Sequence, residues 1–190
     1  MKHIVYSSPA GLDMEIMTAM AEGEKVFLID FFNMCGNPHD ALEIHDDLEA
    51  YKRTGQATFH VRLRGLTSVF NLAAVSAADK IWVNKHNNAL MHPVESFGYG
   101  SASDLFRAAT HNEDLTAKIA GIVTDRFGLE DKKVREMMKE GVFITGEQSS
   151  MFNGIDVITD LLETIPRGTI ELPEDQDKLK RQHSGIEGEG

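Results

Sequence analysis

The sequence predicts an α/β domain, a mostly parallel β-sheet with flanking helices. Three observations carry this. Short runs rich in β-branched and aromatic residues alternate with stretches of helical periodicity, the pattern of strands joined by crossover helices. Lys25 to Phe32 (KVFLIDFF) is an almost continuous apolar run followed by turn formers, as a buried strand requires. Ser68 to Ala78 is small and apolar nearly throughout, as a helix buried all round must be. With 190 residues, 42% of them apolar and 26% charged, the chain can bury one sizeable core.

Each element has its own justification. His3 to Tyr6 is a short apolar strand. Leu12 to Ala21 is helical by the spacing of Met14, Met17 and Ala21, and the series Met14, Met17, Met20 reads as core packing. Pro38, suited to a first helical position, opens a helix to about Arg53 with Leu42, His45, Leu48 and Tyr51 on one face and Gly55 stopping it. Its acidic stretch, Glu43 to Glu49, reads as a wet face. Thr58 to Leu63 alternates, with Phe59, Val61 and Leu63 on one side, and Gly65 turns into the small-residue helix. Lys80 to Val83 and Ala89 to Met91 are further short strands.

A long helix is predicted from Ser101 to about Arg126, after the loop Phe97-Gly98-Tyr99-Gly100, with Ser101 and Asp104 as a capping box. Its apolar positions Leu105, Ala108, Ala109, Leu115, Ile119, Ile122 and Val123 span a broad arc, while His111, Asn112, Glu113 and Asp114 make its middle polar. Glu130 to Lys139 is a helix and Val142 to Ile144 a strand. Thr145 with Gln148 opens a short helix ending near Asn153-Gly154, and Ile155 to Ile158 is the last strand. From Pro166 the chain is polar with little to bury, so the domain is expected over 1–165 and a tail over 166–190.

Composition narrows the function. Nineteen basic and 30 acidic side chains give a formal charge of −11, against a nucleic-acid partner, which needs clustered Lys and Arg. The single cysteine, Cys35, excludes an intramolecular disulfide and a Cys-cluster zinc site, and its default role is a buried structural thiol. No apolar run approaches a membrane span, and the start has no apolar signal core. A cytoplasmic protein with neither cofactor nor metal is expected. The pairs His39/His45 and His86/His92, six apart, fit neither one helical face nor a metal motif, and read as solvated or core histidines.

Four segments, in order, resemble the ClpP-like superfamily, which holds the Clp protease proteolytic subunit, signal peptide peptidase A and ClpP-like phage head proteases. Ile29-Asp30-Phe31-Phe32-Asn33-Met34-Cys35-Gly36-Asn37 is similar to the family's strand and Asn-Ser-Pro-Gly-Gly loop. Gly65-Leu66-Thr67-Ser68-Val69, a small-residue helix and Asp79-Lys80-Ile81 resemble its Gly-x-Ala-Ala-Ser nucleophile turn. Asn88-Ala89-Leu90-Met91-His92-Pro93 is similar to its Met-Ile-His segment. Gly128-Leu129, a helix, Val142 to Thr145 and Asn153-Gly154-Ile155-Asp156 resemble its closing strand and Gly-Leu-Val-Asp ending. The resemblance covers roughly residues 3–160. It implies a ClpP/crotonase-like fold with a protruding long helix, here Ser101 to Arg126, serine peptidase chemistry, a homo-oligomeric ring or a ClpP-like paralogue as partner, and peptide or protein substrates for an active member.

Such chemistry needs a serine that loses its proton to a histidine, an acid that orients the histidine, and N–H groups aimed at the oxyanion. The resemblance supplies Ser68, His92 and Glu140 as candidate triad, with Gly36, Asn37 and Val69 at the oxyanion and substrate positions. The departures point the other way. In the gapless register from Gly65 through Asp79 to His92, the nucleophile position holds Val69, and Ser68 reaches it only by a one-residue slip. The acid position, two residues before Phe143, holds Gly141, with Glu140 beside it. Asn37 replaces the second oxyanion-loop glycine, tolerable because Asn accepts positive φ. Ser68 also reads as a helix N-cap, and His92 as a core histidine at a strand end. Three functions follow: an impaired, structural or assembly subunit; an active serine endopeptidase using Ser68 and His92; or a crotonase-like acyl-binding protein, for which no coenzyme A signature is present.

Overall fold

In chain order the elements are strand β1 (Lys2–Val5), helix α1 (Pro9–Ala21), β2 (Val26–Phe32), α2 (Pro38–Arg53), β3 (Thr58–Arg64) and β4 (Leu66–Ser68). There follow α3 (Val69–Val75), β5 (Lys80–Asn84), β6 (Asn88–Leu90), α4 (Ala102–Phe127), α5 (Asp131–Glu140), β7 (Phe143–Thr145), a 3-10 turn (Gln148–Met151) and β8 (Ile155–Ile158). The computed structural model describes residues 1–32, 36–54 and 57–160. The chain divides into two units, Met1–Thr159 and Asp160–Gly190, and these elements all belong to the first. The expected Cys35 thiol, the Gly55 stop, and the 165/166 boundary with its tail lie outside the described residues.

Five strands form one parallel sheet in the order β1-β2-β3-β5-β8. A second sheet has the order β4-β6-β7, with β4 parallel and β7 antiparallel to β6. The architecture is therefore α/β with a mostly parallel five-stranded sheet and flanking helices. One face of that sheet is apolar because strand side chains alternate: Phe27, Ile29, Phe31, Phe59, Val61 and Ile81 are all fully buried. The other face is mixed. Leu28 and Trp82 are buried there beside two charges, Asp30 and Arg62. The register sets Asp30 directly opposite Arg62, which donates to both carboxylate oxygens, Nε to Oδ1 at 2.5 Å and a terminal nitrogen to Oδ2 at 2.6 Å. His3 Nε2 lies 2.9 Å from Asp30 Oδ2.

Local chemistry sets the helix ends. Ser8 caps α1 by accepting from the Gly11 N–H, and Asn37 caps α2 by accepting from the His39 N–H. Ser101 and Asp104 complete the expected capping box: the Ser101 N–H donates to Asp104 Oδ2 and the Asp104 N–H to Ser101 Oγ. Thr145 and Gln148 exchange the same pair of bonds ahead of the 3-10 turn. Gly128 (φ +67°) and Gly141 (φ +68°) end α4 and α5 in the left-handed conformation that glycine adopts without steric cost.

Several expectations need correction. The helix expected over Ser68 to Ala78 covers only Val69–Val75, and Leu66–Ser68 is a strand, too short for alternation to reveal. Met14 and Met17 are not core: they are 67% and 57% exposed on the outer side of α1, whose buried face is Leu12, Ile16 and Ala19. Asp47, within the supposed wet face of α2, is half-buried. On α4 every buried residue, from Leu115 to Phe127, lies in the second half. The first half runs out exposed, in a helix of 26 residues or about 39 Å. Among the described residues no helix is long and apolar enough to cross a membrane.

Candidate functional site

The site forms where β4 turns into α3 and where the chain leaves β6. Ser68 ends β4 and is the N-cap of α3, buried at 2% exposure. Asn71, three residues on, holds it: the Asn71 amide oxygen accepts from the Ser68 N–H at 2.8 Å and from the Ser68 hydroxyl at 3.1 Å. Because an N–H only donates, the atom of Asn71 facing Ser68 must be the oxygen, and the hydroxyl proton is committed to it. Val69, next along, is completely buried.

His92 follows β6. Its Nδ1 lies 3.0 Å from the Pro93 carbonyl oxygen, and since a carbonyl only accepts, Nδ1 carries the proton. The neutral ring therefore presents Nε2 as its basic nitrogen. The ring sits edge-on against Phe70, centroids 4.7 Å apart. Ser68 and His92 do not form the hydrogen bond that a nucleophile and its base need; His92 meets α3 two residues further on. In this structure Ser68 and His92 are instead each engaged by a local bond, Ser68 to Asn71 and His92 to Pro93.

The acid position is equally vacant of chemistry. The antiparallel ladder pairs Leu90 with Phe143, and the Met91 N–H donates to the Val142 carbonyl at 2.9 Å. Gly141, at the expected acid position, lies before this ladder and ends α5. Gly141 has no side chain to offer, and a Cβ there would meet nothing within 4 Å. Glu140, the expected substitute, is exposed at the end of α5, and no hydrogen bond or ion pair joins it to His92.

The oxyanion positions divide. Gly36 does approach α3: a Cβ on it would lie 3.2 Å from Phe70 Cβ, so a bare backbone suits this spot. Asn33 to Cys35, expected to approach with it, lie outside the described residues. Asn37 does not adopt positive φ. At φ −67° it is an exposed N-cap, its carboxamide oxygen held by the His39 N–H and its NH2 by Asp40. Beside His92 opens a cleft of about 470 Å³ between Pro93, Val94, the middle of α4 and Arg135 of α5. Thr116 Oγ1 accepts from the Val94 N–H at 2.9 Å and fixes this wall.

Two polar constellations were missed in the sequence. One is the Asp30–Arg62–His3 cluster; a charge inside each of two apolar strands was its signal. Burial pushes the Asp30 carboxyl up, but hydrogen bonds from Arg62 and His3 outweigh it and hold the group below the ordinary carboxylate range. The other joins Ser76 to His45 of α2. Ser76 Oγ lies 2.7 Å from both His45 Nδ1 and the Ala73 carbonyl. One hydroxyl proton cannot serve both. It goes to the carbonyl, which only accepts, so His45 Nδ1 donates to Ser76 and the serine is no nucleophile. Arg126 of α4 donates to the Ser76 and Ala78 carbonyls just beyond α3, locking the two helices together.

The arrangement thus holds a histidine whose Nδ1 faces a carbonyl, a close-approach glycine and an open cleft, and among the described residues no hydrogen bond joins Ser68 or Glu140 to His92. Comparison with protein-family models and with curated proteins finds no match to this chain.

Proposed function

We propose that the chain is a catalytically impaired member of the ClpP-like superfamily, a structural or assembly subunit of a Clp-type or phage-type protease complex. One observation carries the reading. The Ser68 hydroxyl is bonded to Asn71 and the His92 ring to Pro93, so the serine at the turn is not hydrogen-bonded to His92. Val69 at the nucleophile position and Gly141 at the acid position support it, since neither offers a group that can move a proton. The ordered motifs, the parallel sheet and the approach of Gly36 to α3 support the family assignment.

Assembly is supported by α4. Phe97, Tyr99 and Phe106 are 108%, 99% and 74% exposed, close in sequence to the exposed Leu105 where the loop enters the helix. Apolar exposure on this scale marks an interaction surface, and a homo-oligomer covers it. The test pairs light scattering with hydrolysis of casein. The expected result is a mass several times the 21.1 kDa monomer and no turnover. Turnover that disappears in Ser68→Ala overturns the impaired reading, and a monomeric mass at micromolar concentration overturns the assembly reading.

A further inference from the structure

The outer side of α1 exposes two large apolar side chains, Met14 and Met17, away from the buried face of Leu12, Ile16 and Ala19. Ala10, Asp13, Met14, Met17 and Thr18 recur at i, i+3, i+4, i+7 and i+8, so they share one face. Across from them, Glu43 and Asp47 stand one turn apart on α2. Together these residues line a groove of about 570 Å³, within the range of about 300–1,000 Å³ that seats ligands. Met14 and Met17, 67% and 57% exposed, are its apolar floor.

Every ionisable group lining the groove is acidic: Asp13, Glu43 and Asp47. The Tyr51 hydroxyl donates to Asp13 at 2.5 Å and ties the two walls together. The acids crowd one another. Burial raises the Asp47 carboxyl above its ordinary value, and the charges of Asp13, Glu43 and Asp46 raise it further. An incoming cation relieves that repulsion. A second copy of this face brings more acid, in a chain already at −11, so it is the wrong occupant.

We infer that the α1–α2 groove is a docking site for a lysine- or arginine-rich amphipathic helix of another protein. Its apolar side chains lie on Met14 and Met17 and its cations reach Asp13, Glu43 and Asp47. Methionine suits such a floor because its flexible thioether adapts to differing side chains. A furrow between two helices accepts a third along its length, and the lining from Ala10 to Thr18 gives it about 12 Å.

The test uses the full chain, isotopically labelled at its methionine methyl groups, titrated with a synthetic helix of leucine on one face and lysine on the other. Two control peptides replace lysine by glutamate or scramble the leucine spacing. The expected result is that the Met14 and Met17 signals shift first, with Kd below about 100 µM. The double variant Glu43→Gln, Asp47→Asn then weakens binding about tenfold, as does raising salt from about 50 to about 200 mM. Met17→Lys, exposed and so tolerated by the fold, abolishes the response. The inference is overturned by equal binding of either control, by shifts confined to other methionines, or by no binding. Shifts of Met14 and Met17 that follow protein concentration without peptide assign the groove to a second copy and overturn it equally.

Discussion

Asp30 sits in an apolar strand at 2% exposure, and its stability there depends on Arg62 in the neighbouring strand. Removing one partner leaves the other buried and unpaired, so Asp30→Asn is expected to cost about 3–5 kcal/mol in urea unfolding, whereas Asp30→Leu with Arg62→Met is close to neutral. The same pair sets a pH dependence. The folded pKa of Asp30 is depressed below its unfolded value of about 3.9. Its contribution is therefore complete above that pH and is lost as pH falls through the lower folded value. Urea midpoints measured from neutral pH into the acid range should decline below about pH 4 in the wild type, and more shallowly in the Leu/Met double variant. The charge at Asp30 was legible in the sequence, but its partner was not, because only the strand register places Arg62 opposite it. The exposure of Met14 and Met17 was likewise hidden. Their periodicity names a helix face without saying whether anything covers it.

At the scale of elements, α4 carries the clearest consequences. Phe106 is 74% exposed, so Phe106→Ser removes little from the folded monomer. It is expected to lower the light-scattering mass while leaving the thermal midpoint nearly unchanged. Gly128 behaves oppositely. At φ +67°, with the Asn153 amide where a Cβ would stand, Gly128→Ala should destabilise by about 1–3 kcal/mol in the same melts. Some helix boundaries were readable because their signals are local: Pro38 opens α2 and the Ser101–Asp104 box opens α4, whereas the start of α1 at Pro9 and the end of α3 at Val75 differ from the expected Leu12 and Ala78. β4 was not readable. Three residues show no alternation, and Leu66–Ser68 is a strand only because β6 pairs with it. Helix α4 packs on α3 and α5 through Leu115 to Phe127, and its first half is exposed.

For the whole molecule, the α/β class was legible because it needs only the order of strands and helices, whereas the site needed distances. Sequence placed Ser68 and His92 in one neighbourhood and left two registers open. The structure shows Ser68 held by Asn71 and His92 meeting Phe70 instead. Asn37 shows the same limit, since a loop position suited to positive φ turned out to be a helix cap at φ −67°. Restoring both missing groups, Val69→Ser with Gly141→Asp, puts a hydroxyl and a carboxylate at the two vacant positions. The double variant is expected to gain slow peptide hydrolysis that His92→Ala removes, read as fluorophore release. The central claim, that this chain keeps the frame of a serine hydrolase without its nucleophile, is met most directly by treating the purified wild-type protein with a fluorophosphonate and reading its intact mass. The account predicts an unchanged mass. A stoichiometric adduct that maps to Ser68 would contradict it.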